Sequence, residues 1–377
     1  MFRVSLFTCA MLIATSALGA APEGGAAEVA KPVVLDSTQI FSIYSKTNQQ
    51  DYRIQVRLPD SYQTNPDKKY PLIIKVDGQW DFPLASSVYN CIYFDGQMPE
   101  AIIIGIDWGN VSGNIHAIRA RDLLPAPIQN SENTGHAKKF ISVLANEIIP
   151  TLNERFRLNK QEFLLGGSWG GTFTTFALLE RPDVFDGAIA IAGDYRNASA
   201  VFDQQLKSLA NSNALDGKHL YIGVGKGDAV AAEVIAYAEK LKALNLKGFK
   251  LKLDALDGFG HSGMNVPGYA NGYKHIFERP QISLAPKALE KFVGKYTSSV
   301  QGWPELIVQV ESGKLVASLG ERKIPLLAKT ENDFYHPDSF FNLSFEGATA
   351  ERTTANVGTF FGDAVYKRAD AGNQPQR

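Results

Sequence analysis

The residues best suited to covalent chemistry lie in the run Gly166-Gly-Ser-Trp-Gly-Gly171, which fits the pattern Gly-x-Ser-x-Gly. Residues 163–165 before it are apolar and predict a strand, and a helix is predicted from Gly170 to Glu180. A serine at a sharp strand-to-helix turn is a nucleophile with an exposed hydroxyl, and the helix N-terminus favours developing negative charge. The pattern predicts that Ser168 is a nucleophile. The alternative is a glycine-rich turn that binds an anion or nothing.

A serine hydroxyl needs a base to become a good nucleophile. The chain has six histidines, and four of them fall on predicted strands, helices or the C-terminal region. His116 lies upstream of Ser168. His261 lies in the glycine-rich loop 257–263, directly after the last strand of a predicted parallel sheet. This position matches the chain order serine, acid, histidine, so His261 is the predicted general base.

The acid that orients the base is predicted to follow a strand between Ser168 and His261. Asp228 ends the apolar run that starts at Tyr221, although an aspartate there could also cap the next helix. Asp257 shares the loop of His261, and Asp254 is also near in sequence. Asp228 is the preferred candidate, with Asp257, Asp254 and an acid-free dyad as alternatives.

A tetrahedral oxyanion requires two converging N–H donors. One is predicted to be the amide of Trp169, which follows the nucleophile. The other is predicted to be the amide of Gln79, in a loop after an early strand, where Gly78 lets the backbone turn. Trp80 and Trp108 are candidate substrate-binding aromatics, and packing in the core is an equally good interpretation of both.

The elements around these residues indicate an α/β fold. Residues 39–46 and 51–58 alternate apolar and polar residues, as paired antiparallel strands do. Residues 71–77 and 101–107 are apolar runs that end in aspartate, typical of strands covered on both faces. Helical and strand patterns then alternate to residue 256. This alternation predicts an α/β domain over residues 33–280, a mostly parallel sheet flanked by helices.

The pattern changes near Pro280. After a short helix at 286–293, short strands and turns predict a separate antiparallel β domain over residues 285–369, followed by a polar tail at 370–377. We expect it to affect substrate access or recruitment rather than chemistry, or to cover apolar surface of the preceding domain. Its predicted core residues are Phe292, Leu306, Ile307, Leu315, Leu326, Phe340 and Phe360.

The N-terminus resembles a targeting segment. Arg3 precedes an apolar run at 4–14, and small residues follow at 16–21. Residues 1–21 are therefore predicted to be a signal peptide that directs export to the periplasm or the medium. Its removal leaves Cys91 as the single cysteine, which cannot form an intramolecular disulfide. Cys91 is expected to be a small packing residue rather than a nucleophile.

Composition excludes several classes of function. The net charge is −1, and a nucleic-acid partner would require a basic surplus. Beyond the N-terminus no apolar stretch reaches the roughly 18 residues that a transmembrane segment needs. No cysteine–histidine cluster has zinc spacing, and no aspartate-rich loop suggests calcium. We expect no cofactor and no metal, and the sequence does not indicate an oligomeric state.

Several spaced motifs resemble the Putative esterase family of α/β-hydrolases, which includes S-formylglutathione hydrolase, siderophore esterases and feruloyl esterases. They are Val76-Asp-Gly78, Arg119-Ala-Arg-Asp-Leu-Leu-Pro125, Gly166–Gly171 and Arg181-Pro-Asp-Val-Phe-Asp-Gly187. The resemblance extends over about residues 35–280 and is greatest to the siderophore-esterase branch. It implies ester hydrolysis by Ser168, His261 and an acid that best matches Asp228. Phe292-Val-Gly-Lys-Tyr296 resembles the lipocalin-like β domain appended to some exported serine hydrolases.

The leading hypothesis is an exported serine esterase that forms an acyl-enzyme with a small-molecule ester. Acyl transfer to an alcohol or a sugar by the same residues is a second hypothesis. A non-catalytic binding protein is the third, from a different class.

Overall fold

A computed structural model describes residues 33–108, 114–129, 131, 133–347, 354–359 and 362–369. Every helix and strand below belongs to one compact unit, Ser37–Arg377. The elements form two sheets, each with its own hydrophobic core. The predicted signal peptide and the predicted polar tail lie outside the described residues.

The first sheet has eight strands in the order β1-β2-β4-β3-β5-β6-β7-β8. They are β1 (Thr38–Ser45), β2 (Gln50–Arg57), β3 (Tyr70–Val76), β4 (Ile102–Asp107), β5 (Leu158–Gly167), β6 (Gly187–Ile191), β7 (His219–Gly225) and β8 (Lys250–Leu256). The pairs β1–β2 and β2–β4 are antiparallel, and every other pair is parallel. Strands β3, β4 and β6 are buried along their whole length, which explains their continuous apolar sequences.

Nine α-helices occur in the described part of the chain. They are α1 (Gly78–Phe94), α2 (Ile115–Leu123), α3 (Ala137–Val143), α4 (Ile149–Arg155), α5 (Trp169–Glu180), α6 (Ser199–Leu209), α7 (Ala231–Ala243), α8 (Asn265–Ile276) and α9 (Pro286–Leu289). A π-helical turn, Leu144–Ile148, joins α3 to α4. The predicted mostly parallel sheet flanked by helices is confirmed.

Helix α1 corrects the expectation of a loop after β3. The helix begins at Gly78, directly after the strand, and contains Pro83. Asp81 has non-helical backbone angles (φ −144°, ψ 20°), so the first turn is kinked against the rest of the helix. A glycine and a proline within six residues mask the helical pattern in the sequence.

The second sheet is antiparallel, with the order β12-β11-β10-β9-β17-β16-β15-β14-β13. Its strands are β9 (Gly294–Ser298), β10 (Leu306–Glu311), β11 (Lys314–Leu319), β12 (Arg322–Pro325), β13 (Leu327–Ala328), β14 (Asp333–Tyr335), β15 (Asn342–Glu346), β16 (Thr354–Thr359) and β17 (Gly362–Arg368). The two edge strands, β12 and β13, are separated by Leu326 alone. Because one residue cannot span an open nine-stranded sheet, the sheet curls into a nearly closed barrel.

The core of the second sheet corrects part of the predicted set. Phe292, Leu306, Leu315 and Leu326 are buried in it. Ile307 and Phe340 are only half-buried. Ile307 alternates with buried neighbours on β10 and faces away from the barrel interior. Phe340 faces the aromatic rings of α1. Phe360 lies outside the described residues.

The barrel contacts the rest of the molecule at the carboxyl end of α1. The Phe340 ring lies 6.3 Å from the ring of Tyr93 and 6.4 Å from that of Phe94. Gln97 Nε2 donates to the Pro337 carbonyl at 3.3 Å. The Arg279 guanidinium donates to the same carbonyl at 3.0 Å.

Cys91 is exposed on α1, so the expectation of a small packing residue was wrong. Within the described ranges, no helix combines the length and the apolar character that a bilayer crossing requires.

Candidate active site

Ser168 occupies the turn between β5 and α5. Its backbone angles are φ 57° and ψ −127°, a conformation that residues with a side chain rarely adopt. The Ser168 N–H donates to the Ile191 carbonyl at 2.8 Å, and the Ser168 carbonyl accepts from Thr172 N–H at 3.0 Å. The strained turn is therefore held by the neighbouring strand and by the helix that follows.

The glycines on either side of Ser168 are required by close packing. A Cβ atom added at Gly166 would lie 2.3 Å from the Gly170 carbonyl oxygen. A Cβ atom added at Gly171 would lie 2.6 Å from the Ile191 carbonyl oxygen. Strand, turn and helix can approach one another this closely only without side chains at these positions.

His261 and Asp228 are brought together from neighbouring strand ends. Asp228 Oδ2 lies 2.6 Å from His261 Nδ1, and the Asp228 side chain is 5% exposed. Backbone bonds join the two loops, with Gly227 N–H donating to the Phe259 carbonyl at 3.3 Å. The Gly225 backbone lies so close to Phe259 that an added Cβ would be 2.1 Å from its oxygen. The chain thus fixes this carboxylate against this imidazole.

The competing carboxylates lie elsewhere. Asp257 is 82% exposed and pairs with Lys226 at 2.8 Å. Asp254 Oδ2 accepts from the Tyr221 hydroxyl at 2.8 Å and from Asn271 Nδ2 at 3.0 Å. The sequence also allowed Asp228 to cap the next helix. Its Oδ1 does accept a hydrogen bond from Val230 N–H at 3.2 Å, directly before α7.

The two predicted amide donors lie in the first turns of two helices. Trp169 is the first residue of α5, and Gln79 is the second residue of α1. N–H groups in a first helical turn have no acceptor within their own helix. Each helix follows a residue with positive φ, Ser168 in one case and Asp77 (φ 63°) in the other. Neither amide donates a hydrogen bond to any residue that the structure describes, so both are available to bind a negatively charged oxygen.

These elements meet at one edge of the sheet. Strands β3 and β5 are parallel neighbours, and the chain leaves β3 towards β4 on one side and returns to β5 on the other. Ligands bind in open α/β sheets at such a switch point, beyond the carboxyl ends of the strands. A cavity of about 510 Å³ lies there. It is lined by Lys75, Asp77, Trp80, Asp81, Leu84, His116, Arg119, Gly167, Ser168, His261, Ser262 and Asn265.

Two ion pairs form much of the cavity wall. Arg119 donates from Nε to Asp77 Oδ1 at 2.6 Å and from Nη2 to Asp77 Oδ2 at 2.8 Å, and both residues are buried. Lys75, which is 1% exposed, lies with Nζ 2.7 Å from Asp81 Oδ1. Because each cation is matched by a carboxylate, the wall is polar but close to neutral.

Asp81 is also held by two residues of α8. Asn265 Nδ2 donates to Asp81 Oδ2 at 3.2 Å, and the Tyr269 hydroxyl donates to the same oxygen. Burial, reinforced by the Asp81 charge, raises the pKa of Tyr269 well above its ordinary value. Tyr269 therefore remains a protonated donor throughout the physiological range.

The two candidate tryptophans have different positions. Trp80 is 52% exposed and lines the cavity, with the Arg119 guanidinium 4.3 Å from its ring centroid. Trp108 is 1% exposed, and its Nε1 donates to Asp122 Oδ2 at 3.1 Å. Trp108 has the core position that the sequence equally allowed, and it is not among the residues that line the cavity.

The Ser168 hydroxyl forms no hydrogen bond within the described part of the chain. Ser168 and His261 nonetheless line the same cavity. Catalytic hydrogen bonds are often long before substrate is bound, so this arrangement is compatible with proton transfer between the two residues.

Sequence reasoning assigned no role to seven polar residues of the cavity. They are Lys75, Asp77, Asp81, His116, Arg119, Ser262 and Asn265. Asp77 and Arg119 lie in motifs that carry the family resemblance, and this was the available signal. The others have no local pattern, because their partners are distant in the chain.

The family model described as Putative esterase matches residues 45–259, more than half of the chain. A curated relative, the uncharacterized protein YbbA of Bacillus subtilis strain 168, is 24% identical over 170 residues. That alignment covers 43% of this chain, and the chain spans 64% of the length of this relative.

Three solved structures show the same fold. The BES protein from Bacillus cereus has a TM-score of 0.58 at 21% identity, over 66% of this chain and 97% of that protein. The IroE-like serine hydrolase from Shewanella oneidensis has a TM-score of 0.58 at 20% identity, with coverages of 67% and 84%. The siderophore hydrolase EstB from Aspergillus nidulans has a TM-score of 0.54 at 22% identity, with coverages of 66% and 98%.

The mostly parallel sheet, the helices that connect its strands and the strained turn at Ser168 define the α/β-hydrolase fold, and the solved structures share it. Among proteins of this class, the chain belongs to the Putative esterase family.

Proposed function

We propose that this protein is a serine esterase that cleaves small-molecule carboxylic esters through an acyl-enzyme on Ser168. The observation that carries the proposal is the 2.6 Å contact between His261 Nδ1 and Asp228 Oδ2 in a chain whose Ser168 lines the same cavity. Membership of the Putative esterase family supports the reaction class.

The Asp228 contact determines which nitrogen of His261 acts as base. A carboxylate can only accept a hydrogen bond, so Nδ1 carries the proton and Nε2 has the free lone pair. Nε2 takes the Ser168 proton as Oγ attacks the ester carbonyl carbon. The carbonyl electrons move to oxygen, and the oxyanion is bound by the amides of Trp169 and Gln79. The buried carboxylate of Asp228 stabilises the imidazolium that results.

The reaction is completed by formation of the acyl-enzyme and then by its hydrolysis. The C–O bond to the leaving alcohol breaks, and His261 returns its proton to that alcohol, which leaves an acyl-Ser168 ester. Water, deprotonated by His261 Nε2, attacks the acyl carbon through a second oxyanion. The Oγ–acyl bond breaks, Ser168 regains a proton and the carboxylic acid departs. No step requires a metal or an organic cofactor.

The test is covalent labelling with a fluorophosphonate, followed by assay on activated aryl esters. We expect one labelled site, Ser168, and no label on Ser168→Ala. The same substitution should reduce ester hydrolysis by several orders of magnitude, since the loss of one member of such a set usually costs that much. Residual activity within about tenfold of the unmodified protein would contradict the proposal.

Ser262 offers a matched control. It lines the same cavity and has the same hydroxyl, but it follows the histidine and is not at a strand–helix turn. Ser262→Ala should retain labelling at Ser168 and most of the activity. Loss of labelling in Ser262→Ala but not in Ser168→Ala would identify Ser262 as the nucleophile and contradict the proposal.

The type of ester is proposed from the names of structural relatives. Two of them are described as an IroE-like serine hydrolase and a siderophore hydrolase. We include siderophore-type esters in the substrate class. A panel from acetyl and aryl esters to catecholate esters tests this, and hydrolysis limited to simple acetyl esters would argue against it.

Location and domain organisation are also proposals. We propose that residues 1–21 are a cleaved signal peptide and that the protein acts in the periplasm or the medium. We further propose an esterase domain at 33–280, a β domain at 285–369 and a polar tail at 370–377. N-terminal sequencing of the protein recovered outside the cytoplasm tests the first point, and an intact Met1 there would contradict it.

A further inference from the structure

The two amide donors of the proposed mechanism come from different segments of the chain. Gln79 follows β3, and Trp169 follows β5. An oxyanion site stabilises charge only if both N–H groups are aimed at one point before the charge develops. The relative position of the two turns must therefore be fixed by other residues.

Asp77 joins one turn to the other. It adopts the left-handed conformation (φ 63°, ψ 38°) two residues before the Gln79 amide. Its carboxylate lies over the first turn of α5, because a Cβ atom added at Gly170 would be 3.2 Å from Asp77 Oδ2. On its other side, Gly78 packs on β4, where an added Cβ would lie 2.8 Å from the Gly105 Cα. A shift of Asp77 would thus move the Gln79 amide.

Arg119 on α2 holds Asp77 in place. Two parallel hydrogen bonds of 2.6 Å and 2.8 Å join its guanidinium to both carboxylate oxygens. The same guanidinium carbon lies 4.3 Å from the Trp80 ring centroid and 5.3 Å from that of Trp169. One planar cation therefore contacts the residue after Gln79 and the side chain of the second donor residue. Bidentate pairing and stacking together are properties of arginine that lysine lacks.

We propose that Arg119 is a positioning residue for the oxyanion site, which holds the Asp77–Gln79 turn against Trp169. This inference rests on the proposed esterase function. It differs from a substrate-binding role, in which Arg119 would pair with an anionic group of the substrate. The two roles predict different kinetics, since a positioning residue acts on every ester and a binding residue acts on anionic esters only.

The experiment compares Arg119→Lys with the unmodified full-length protein on a neutral aryl acetate. We expect kcat to fall roughly 10- to 100-fold, less than the loss on deleting a donor outright, because the amides are displaced but not removed. Both acylation and deacylation pass through an oxyanion, so kcat should fall whichever step limits the rate. KM should change less than about threefold.

A reversible trifluoromethyl ketone provides a readout that a purely structural defect would not move. Ser168 adds to its carbonyl and forms a stable oxyanion, so its affinity reports on the oxyanion site directly. We expect its Ki to rise by the same factor by which kcat/KM falls. An unchanged Ki with an unchanged kcat would overturn the inference. So would a KM defect confined to anionic esters.

Asp77→Asn is a second route to the same test if the lysine variant does not fold. It should produce the same defect. The double variant should be about as impaired as either single variant, since both substitutions break the same Arg119–Asp77 ion pair. Additive losses would overturn the inference. The control is Arg181→Lys, because Arg181 forms an equally bidentate pair with Asp183 (both bonds 2.7 Å) on the surface away from the cavity. Its kcat and Ki should be unchanged.

The unmodified protein separates a failure of the proposed function from a failure of the Arg119 assignment. If the unmodified protein hydrolyses no ester and is not labelled at Ser168, the proposed function fails and the inference fails with it. If the unmodified protein is active and labelled while Arg119→Lys and Asp77→Asn match it in kcat and Ki, only the inference fails.

Discussion

Asp228 and His261 are separated by 33 positions in the chain, yet a carboxylate oxygen of the first lies 2.6 Å from Nδ1 of the second. The contact arises because β7 and β8 are parallel neighbours and end side by side. The carboxylate is 5% exposed, whereas the imidazole is 45% exposed. The buried partner thus fixes the ring, and the exposed ring remains accessible from the cavity.

This relationship predicts unequal roles for two aspartates. Asp228→Asn should reduce kcat by about 10³- to 10⁴-fold on an aryl ester, because the amide can donate to Nδ1 and favours the wrong tautomer of His261. Asp257→Asn is the matched control, since Asp257 pairs with Lys226 at the surface and is 82% exposed. It should stay within about twofold of the unmodified protein.

Steady-state rates near neutral pH decide between the assignments. A greater loss in Asp257→Asn would identify a different acid. Small losses in both variants would favour a serine–histidine dyad.

The glycine spacing around Ser168 predicts a steric effect. Gly166→Ala would bring a Cβ atom within 2.3 Å of backbone that cannot move independently, so the turn must open. We expect a destabilisation of about 1–3 kcal/mol and loss of fluorophosphonate labelling. Gly263→Ala should be silent, because its nearest new contact is an ordinary 3.8 Å to Phe259. Thermal unfolding and labelling measure both effects, and a labelled, fully stable Gly166→Ala variant would show that the turn tolerates a side chain.

Much of the fold could be predicted from sequence, because its signals are local. The buried strands β3 and β4 are continuous apolar runs, and the serine turn shows its packing requirement as glycines at fixed spacing. Helix α1 was missed because Gly78, Asp81 and Pro83 interrupt the helical pattern at its start. The break between β12 and β13 was hidden because a single residue, Leu326, carries the chain between the two sheet edges.

The polar wall of the cavity could not be predicted for a different reason. Arg119 and Asp77 are 42 positions apart, and Asp81 and Tyr269 are 188 apart. Neither pair has a periodicity or a spacing that marks it. Their contacts depend on how α1, α2 and α8 pack over the sheet, and that packing is a property of the whole fold.

Glu162 on β5 predicts a pH dependence of stability. Burial, reinforced by the charge of Asp186, raises the pKa of this carboxyl from 4.5 to about 7. The folded state therefore binds a proton that the unfolded state has released, and stability falls as pH rises from about 4.5 to about 7. Glu162→Gln removes this proton uptake. Relative to the unmodified protein, its Tm should be higher by a few degrees at about pH 8 and similar near pH 4.5.

Thermal unfolding across this pH range gives the test. Glu154→Gln on α4 is the control, because Glu154 is exposed, and its Tm curve should run parallel to that of the unmodified protein. A constant Tm difference between Glu162→Gln and the unmodified protein at every pH would contradict the assignment.

The position of the barrel predicts how far it influences the site. Its contacts through Phe340 and Arg279 lie at the carboxyl end of α1, while Gln79 is at the amino end. A helix of 17 residues is about 25 Å long. None of the described residues that line the active-site cavity comes from residues 285–369. The barrel should therefore act on stability or on recruitment of the protein rather than on chemistry.

A chain shortened to end at Pro286 should still be labelled at Ser168 by a small fluorophosphonate and hydrolyse an aryl acetate at a similar rate. Its Tm should fall, because the rings of Tyr93 and Phe94 lose their contact with Phe340 and become more exposed than they already are. In the full chain, Phe340→Ala should lower Tm without changing kcat/KM, and this variant keeps the prediction testable if the short chain is insoluble. The two measurements together separate stability from access. If Phe340→Ala changed the relative rates on bulky and small esters at constant Tm, the barrel would control access to Ser168 despite its distance.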